Sequence, residues 1–178
     1  MLSDWLGYLE HVSPEKLGIY AANVGKGGCT IFAELLHRSE GAELMGLSWC
    51  ATFVFAVIQR PDLLGPACAG VITLKRRMQR RGLWRRRGTY QPRRGDLIFC
   101  SNLRTRRADH VGIVLDCDGE TVISIDGNTI DPSGRFAPHE GGAVARRVRK
   151  LDDPVIVGYG AISAFLADSD EMKGDERW

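Results

Sequence analysis

The chain has 178 residues, of which 44% are hydrophobic and 26% charged, enough for one domain with its own core and too apolar for a disordered segment. Its longest apolar run, Cys50 to Ile58, falls far short of the ~20 residues that span a bilayer, and Met1 to Ser13 lacks the basic start and apolar stretch of a secretory signal. The net charge is +2, yet Lys75 to Arg94 holds ten basic and no acidic residues, so the rest of the chain is acidic.

The spacing of Trp5, Leu6, Leu9 and Val12 predicts a short helix ending before Pro14. Gly25 to Gly28 reads as a connector, since it lacks the Lys-Ser/Thr ending of a phosphate loop. Thr30 to Arg38 carries Ile31, Phe32, Leu35 and Leu36 at helical spacing, with Gly41 as its stop. Ser48 is placed to cap a helix from Trp49 to Gln59, apolar nearly all round and therefore central to the core. A further helix from Gly70 to Arg81 turns Val71, Leu74 and Met78 inward.

Beyond Gly88 the pattern changes to short β-branched runs: Leu97–Cys100, Val111–Asp116, Thr121–Asp126, Ala143–Arg149 and Val155–Tyr159. Asp118-Gly119 fits a tight hairpin between the second and third. Helices followed by antiparallel strands indicate an α+β domain. The tail from Ala167 to Trp178 is polar and is expected to be mobile.

Five cysteines with no CxxC pair argue against both a disulfide framework and a zinc site. Most are ordinary small hydrophobes, but Cys50 falls in the first turn of the apolar helix, where unpaired amides and the helix dipole favour a thiolate. His110 opens the strand Val111–Asp116, and a nucleophilic thiol needs an imidazole to take and return its proton. Asp126-Gly127-Asn128 closes the strand after the hairpin, which brings it beside the start of the His110 strand; a carboxylate or carboxamide there can hold the imidazole tautomer. Singly these are a helical cysteine, a structural histidine and a turn; in this order they form a cysteine–histidine site.

These blocks, SWCATFVFAVI, PRRGDLIFC, DHVGIVLDCDGETVISIDGNT, GGAVARRVRK and VGYGAI, resemble the CHAP domain, the cysteine- and histidine-dependent amidohydrolase/peptidase group of papain-like peptidoglycan hydrolases. The resemblance implies a papain-like fold, with N-terminal helices on an antiparallel sheet of five to six strands. It implies a helical leader over residues 1–40, a catalytic domain over 41–166 and a tail over 167–178. It assigns Cys50 as nucleophile, His110 as general base, Asp126 and Asn128 as alternatives for orienting His110, and Trp49 as a substrate contact. Asp126 stands where the family has glutamate, and Ser48 where proline or glutamine is common.

The implied substrate is a cell-wall amide, cleaved without metal or other cofactor by a monomer resembling phage and prophage lysins, made in the cytoplasm and released to the wall. The Lys75–Arg94 region is expected to meet anionic wall polymers. Trp84 and Tyr90 within it also offer stacking surfaces, though nucleic acid is not the expected partner. Asp116, Asp118 and Glu120 could ligate calcium but fit a solvated hairpin tip better. The competing classes are a catalytically silent module on the same fold and an intracellular thiol amidase acting on a peptide or conjugate.

Overall fold

A computed structural model describes residues 2–10, 28–101, 107–130 and 141–170. Thr30 begins the first long helix, α1 (Ile31–Glu40): its backbone is extended and its hydroxyl accepts from the Ala33 N–H at 3.1 Å. Gly41 ends α1 in the left-handed conformation (φ 67°), returning its N–H to His37 O. The next helix, α2 (Cys50–Ile58), is buried at every residue except Val57, because α1 covers one side and the sheet the other. A single turn, α3 (Pro61–Leu64), leads to α4 (Val71–Arg80), which buries Val71, Leu74 and Met78 and leaves Arg76 and Arg80 outside.

Six strands follow: β1 (Trp84–Arg86), β2 (Leu97–Ser101), β3 (Ala108–Cys117), β4 (Thr121–Thr129), β5 (Ala143–Lys150) and β6 (Ile156–Gly160). They form one antiparallel sheet in the order β1-β6-β2-β3-β4-β5, giving the expected α+β architecture. Phe99, Val111, Ile113 and Ile125 face the helices, where Trp49 and Phe53 meet them. On the opposite face Ile98, Val114, Val122 and Tyr159 are closed over by Tyr90, Leu151 and Val155. Asp118 builds the β3–β4 hairpin tip, accepting from the Glu120 and Thr121 N–H groups, with Gly119 at φ 96°.

Four expectations need correcting. The helix expected through Trp5 and Leu9 is a 3-10 turn over Leu2–Trp5, stopped by Gly7 (φ 85°); Val12 lies outside the described residues. Beyond that glycine the chain is extended and pairs with the start of β5 through Gly7 N to Val144 O, Val144 N to Tyr8 O and Glu10 N to Gly142 O. Ser48 does not cap α2; the cap position is Trp49, whose side chain makes no cap hydrogen bond. The basic stretch contains the unexpected strand β1, three residues long on the sheet edge. Finally, the C-terminal helix α5 (Ser163–Asp170) runs into the expected tail, whose residues 171–178 lie outside the described ones.

Candidate active site

Cys50 is the first residue of α2. The first intrahelical bond of α2 runs from Phe53 N to Trp49 O at 2.8 Å, so the amides of Cys50, Ala51 and Thr52 precede the bonded ladder. No side chain caps that end, in contrast to α1. Free amide dipoles converge where a thiolate or an oxyanion would form.

Three strands bring the remaining groups to this point. His110 on β3 places Nε2 2.9 Å from Asp126 Oδ2 on β4, and the Cys50 thiol lies near enough to bear on the charge of the ring. With Nε2 on the carboxylate, Nδ1 is the nitrogen left for sulfur. Burial disfavours the imidazolium, but the hydrogen bond to Asp126, the contact with Cys50 and the carboxylate charge outweigh it and push the His110 pKa up to about 10. Burial also works against ionisation of Asp126, yet the hydrogen bond and charge of His110, then the charge of Arg149, hold its carboxyl well below the usual range. The pair is therefore an imidazolium and a carboxylate near neutral pH.

Two glycines make this geometry possible. A Cβ at Gly112 would overlap the Asp126 carboxylate, so the empty position on β3 is the space the carboxylate occupies. A Cβ at Gly127 would lie 2.6 Å from Phe53 Cβ and 2.8 Å from the Trp49 ring, so β4 rests its backbone directly on the first turn of α2. Asp126 and Gly127 thus face opposite sides of the sheet, one toward His110 and one toward the helix carrying Cys50.

Of the five residues singled out, Cys50, His110 and Asp126 come together. Asn128 sits apart in the irregular stretch between Asp126 and Thr129, in the left-handed conformation (φ 54°), its side chain beside Gly141 rather than on the imidazole. Trp49 is 0% exposed: its ring stacks on Phe32 and its Nε1 donates to buried Glu10 at 2.5 Å. A substrate cannot reach that ring, so the expected contact is replaced by a supporting role beneath the nucleophile.

Sequence reasoning missed Ser124, Arg149 and Glu10. Ser124 Oγ donates to Asp126 Oδ1 at 2.6 Å, and Arg149 donates to Asp126 Oδ2 at 2.7 Å and to Ser124 Oγ at 2.9 Å. Ser124 was within reach of inference, being two residues from Asp126 on the same strand face. Arg149 and Glu10 carry no local signal, since their partners are 23 and 39 residues away.

Several side chains of the arginine-rich stretch are tied to backbone carbonyls, and of these Arg77 is half-buried. Arg77 donates to the carbonyls of Leu64 and Pro66, Arg81 to that of Asp62, Arg85 to that of Gly82 and Arg87 to that of Asp152. Trp84 packs on Phe99 beneath Lys75, and the Tyr90 hydroxyl donates to Asp96, so neither ring is a free stacking surface. Arg76, Arg80, Arg86, Arg93 and Arg94 are exposed, as are Arg81, Arg85 and Arg87 despite their backbone contacts. Among the described residues no three His, Cys, Asp or Glu side chains converge as metal ligands, and no helix is long and apolar enough to cross a membrane.

No curated protein matches the chain. The family model of the CHAP domain matches residues 42–128, a span that opens just before α2 and closes at the irregular end of β4. The helix-borne cysteine and strand-borne histidine fall inside it, which is the pairing the family depends on, and residues 42–128 thus carry a match to the CHAP domain of cysteine- and histidine-dependent amidohydrolases and peptidases.

Proposed function

We propose that the protein is a peptidoglycan hydrolase cleaving a cell-wall amide, either the N-acetylmuramoyl–L-alanine bond or a bond within the peptide, through a Cys50 acyl-enzyme. The observation that carries this reading is the imidazole of His110 held between the Asp126 carboxylate and the thiol at the open start of α2. The Cys50 thiolate attacks the amide carbonyl, and the unbonded amides of the first turn of α2 stabilise the oxyanion. The imidazolium of His110 gives its proton to the departing amine as the tetrahedral adduct collapses to a thioester. Neutral His110 then takes a proton from water, whose oxygen attacks the thioester, and the released thiolate and imidazolium restore the starting pair. Asp126 acts through His110, and we assign it rather than Asn128 to hold the ring.

In this reading residues 1–40 are a leader packed against the catalytic domain of residues 41–166, as the pairing of residues 7–10 with β5 and the bond from Trp49 to Glu10 support. The enzyme works at the wall after cytoplasmic synthesis and release by a holin or a phage particle. The exposed arginines of the Lys75–Arg94 region would hold it near anionic wall polymers; equal adsorption to walls at low and high salt would rule this out.

The decisive experiment is mass spectrometry of fragments released from purified peptidoglycans by wild type and Cys50→Ala. New amine ends from wild type alone are expected, and their identity names the bond. Release by both proteins, or no release while Cys50 alkylates promptly, would overturn the reading, the latter in favour of another amide substrate. No release with an inert Cys50 would favour a silent module.

A further inference from the structure

Beneath His110 lies a closed ring of hydrogen bonds. The Arg149 guanidinium can only donate and the Asp126 carboxylate can only accept, so the hydroxyl of Ser124 must accept from Arg149 and donate to Asp126. Both carboxylate oxygens are thereby fixed, Oδ1 by Ser124 and Oδ2 by Arg149 and His110. The three strands involved are neighbours. Ser124 and Asp126 share one face of β4, Arg149 reaches diagonally from its place opposite Val122 on β5, and His110 comes from β3 on the other side. Asp126 is 0% exposed and the Arg149 side chain 11%, so water does not screen the arrangement.

Taking Cys50 and His110 as the reacting pair, we propose that Arg149 and Ser124 are positioning residues, fixing the plane of the Asp126 carboxylate so that it aims His110 at Cys50, and that the Arg149 charge limits how strongly Asp126 holds the His110 proton. A carboxylate with one cationic partner would bind the imidazolium fully; here two cations share one oxygen. A base that must both give and take a proton in each turnover works best when that hold is moderated. The other titratable groups bearing on this cluster include Cys50 on α2, Cys100 on β2, which pairs directly with His110, Asp109 beside His110 on β3, and Asp153 beyond β5; burial pushes the Cys100 thiol up to about 12, so it stays neutral here.

The test uses the full-length protein and iodoacetamide, following carbamidomethylation of the Cys50 peptide by mass spectrometry from pH 5 to pH 11. Wild type is expected to react near neutral pH and to show a change in rate where His110 loses its proton. Arg149→Met should move that change upward by roughly 0.5–1 pH unit, because a positive neighbour of the imidazolium is gone. Arg149→Lys should restore its position. Ser124→Ala should leave it in place but slow Cys50 labelling at neutral pH several-fold, as the ring is then less well aimed. An Arg149 that only stabilises the fold would lower the melting temperature and leave the profile of the folded protein unmoved, which would overturn the inference. Should Arg149→Met fail to fold, wild-type labelling rates in Ser124→Ala would overturn it equally. A shifted profile in a protein that releases nothing from peptidoglycan upholds the roles of Arg149 and Ser124 and overturns only the wall substrate.

Discussion

Asp96 and Asp126 are both 0% exposed, and both accept hydrogen bonds with each oxygen, yet they do different work. Asp96 takes donors from neutral groups: the Tyr90 hydroxyl at 2.7 Å, and the amides of Arg93, Ile162 and Ser163 at 2.8 to 3.0 Å. It ties the chain entering β2 to the chain leaving β6, and it meets the start of α5. Burial, then the bond to Asp96, pushes the Tyr90 hydroxyl up to about 12, so the hydroxyl keeps its proton near neutral pH. Asp126 instead faces two cations and one hydroxyl, and one of those cations can lose its proton. Surrounding a buried carboxylate with amides makes a brace. Surrounding it with titratable and charged partners makes a device whose state depends on its neighbours.

Removing each carboxylate should separate the two roles. Asp126→Ala is expected to lower amide hydrolysis by roughly 10²–10⁴-fold, as losing the residue that orients a catalytic histidine does elsewhere. It should also destabilise the fold by about 3–5 kcal/mol by leaving Arg149 buried without a counter-charge, measurable by urea unfolding. Asp96→Ala should cost about 2–4 kcal/mol through its orphaned amides while the folded protein keeps its turnover within a few-fold. If Asp96→Ala instead abolished turnover at full stability, the contrast between brace and device would collapse. Gly112→Ala pushes a methyl into the Asp126 carboxylate and should lower turnover on the order of 10²-fold, with a stability loss of about 1–3 kcal/mol.

The Asp126 site also has a pH signature. The folded pKa of His110 is raised, so its contribution to stability is complete below about 6.5 and fades as pH rises toward 10. The folded pKa of Asp126 is depressed, so its contribution is complete above about 4 and fades as pH falls. The stability gap between wild type and Asp126→Asn, read by urea unfolding across pH, should therefore be widest between about pH 4 and 6.5 and narrow on both sides. Smallest of all, Thr30→Ala should cost about 1 kcal/mol with turnover unchanged, while Ser48→Ala should stay within about 0.5 kcal/mol, because only the first is a helix cap.

The contacts legible in the sequence were those set by short-range rules. Asp118-Gly119 fixes a hairpin, the hairpin fixes a register, and the register delivers Asp126 to His110 sixteen residues away. Cys50 was legible because an apolar run announces a buried helix and its start. Arg149 was not, because nothing local tells which later strand will flank β4 or that an arginine on it will turn inward. The family resemblance implies a substrate contact at Trp49, and only Glu10, far back in the chain, shows that the ring is held underneath. The opening helix failed because a spacing of three and four residues fits a helix but does not exclude an extended strand beyond Gly7. The strand β1 escaped because Trp-Arg-Arg has no β-branched residue and only three positions.

An open sheet has two margins, and each is a template on which another chain can add a strand. Here the first is three residues long and carries Arg85 and Arg86; the second is β5, whose start is already paired by Gly7 to Glu10 and whose remainder carries Arg146, Arg147 and Lys150. Short length, charge and a covering segment are the means by which such margins avoid joining one another. Deleting residues 2–10 would uncover the backbone of Gly142 and Val144, and the expected result is self-association detectable by light scattering.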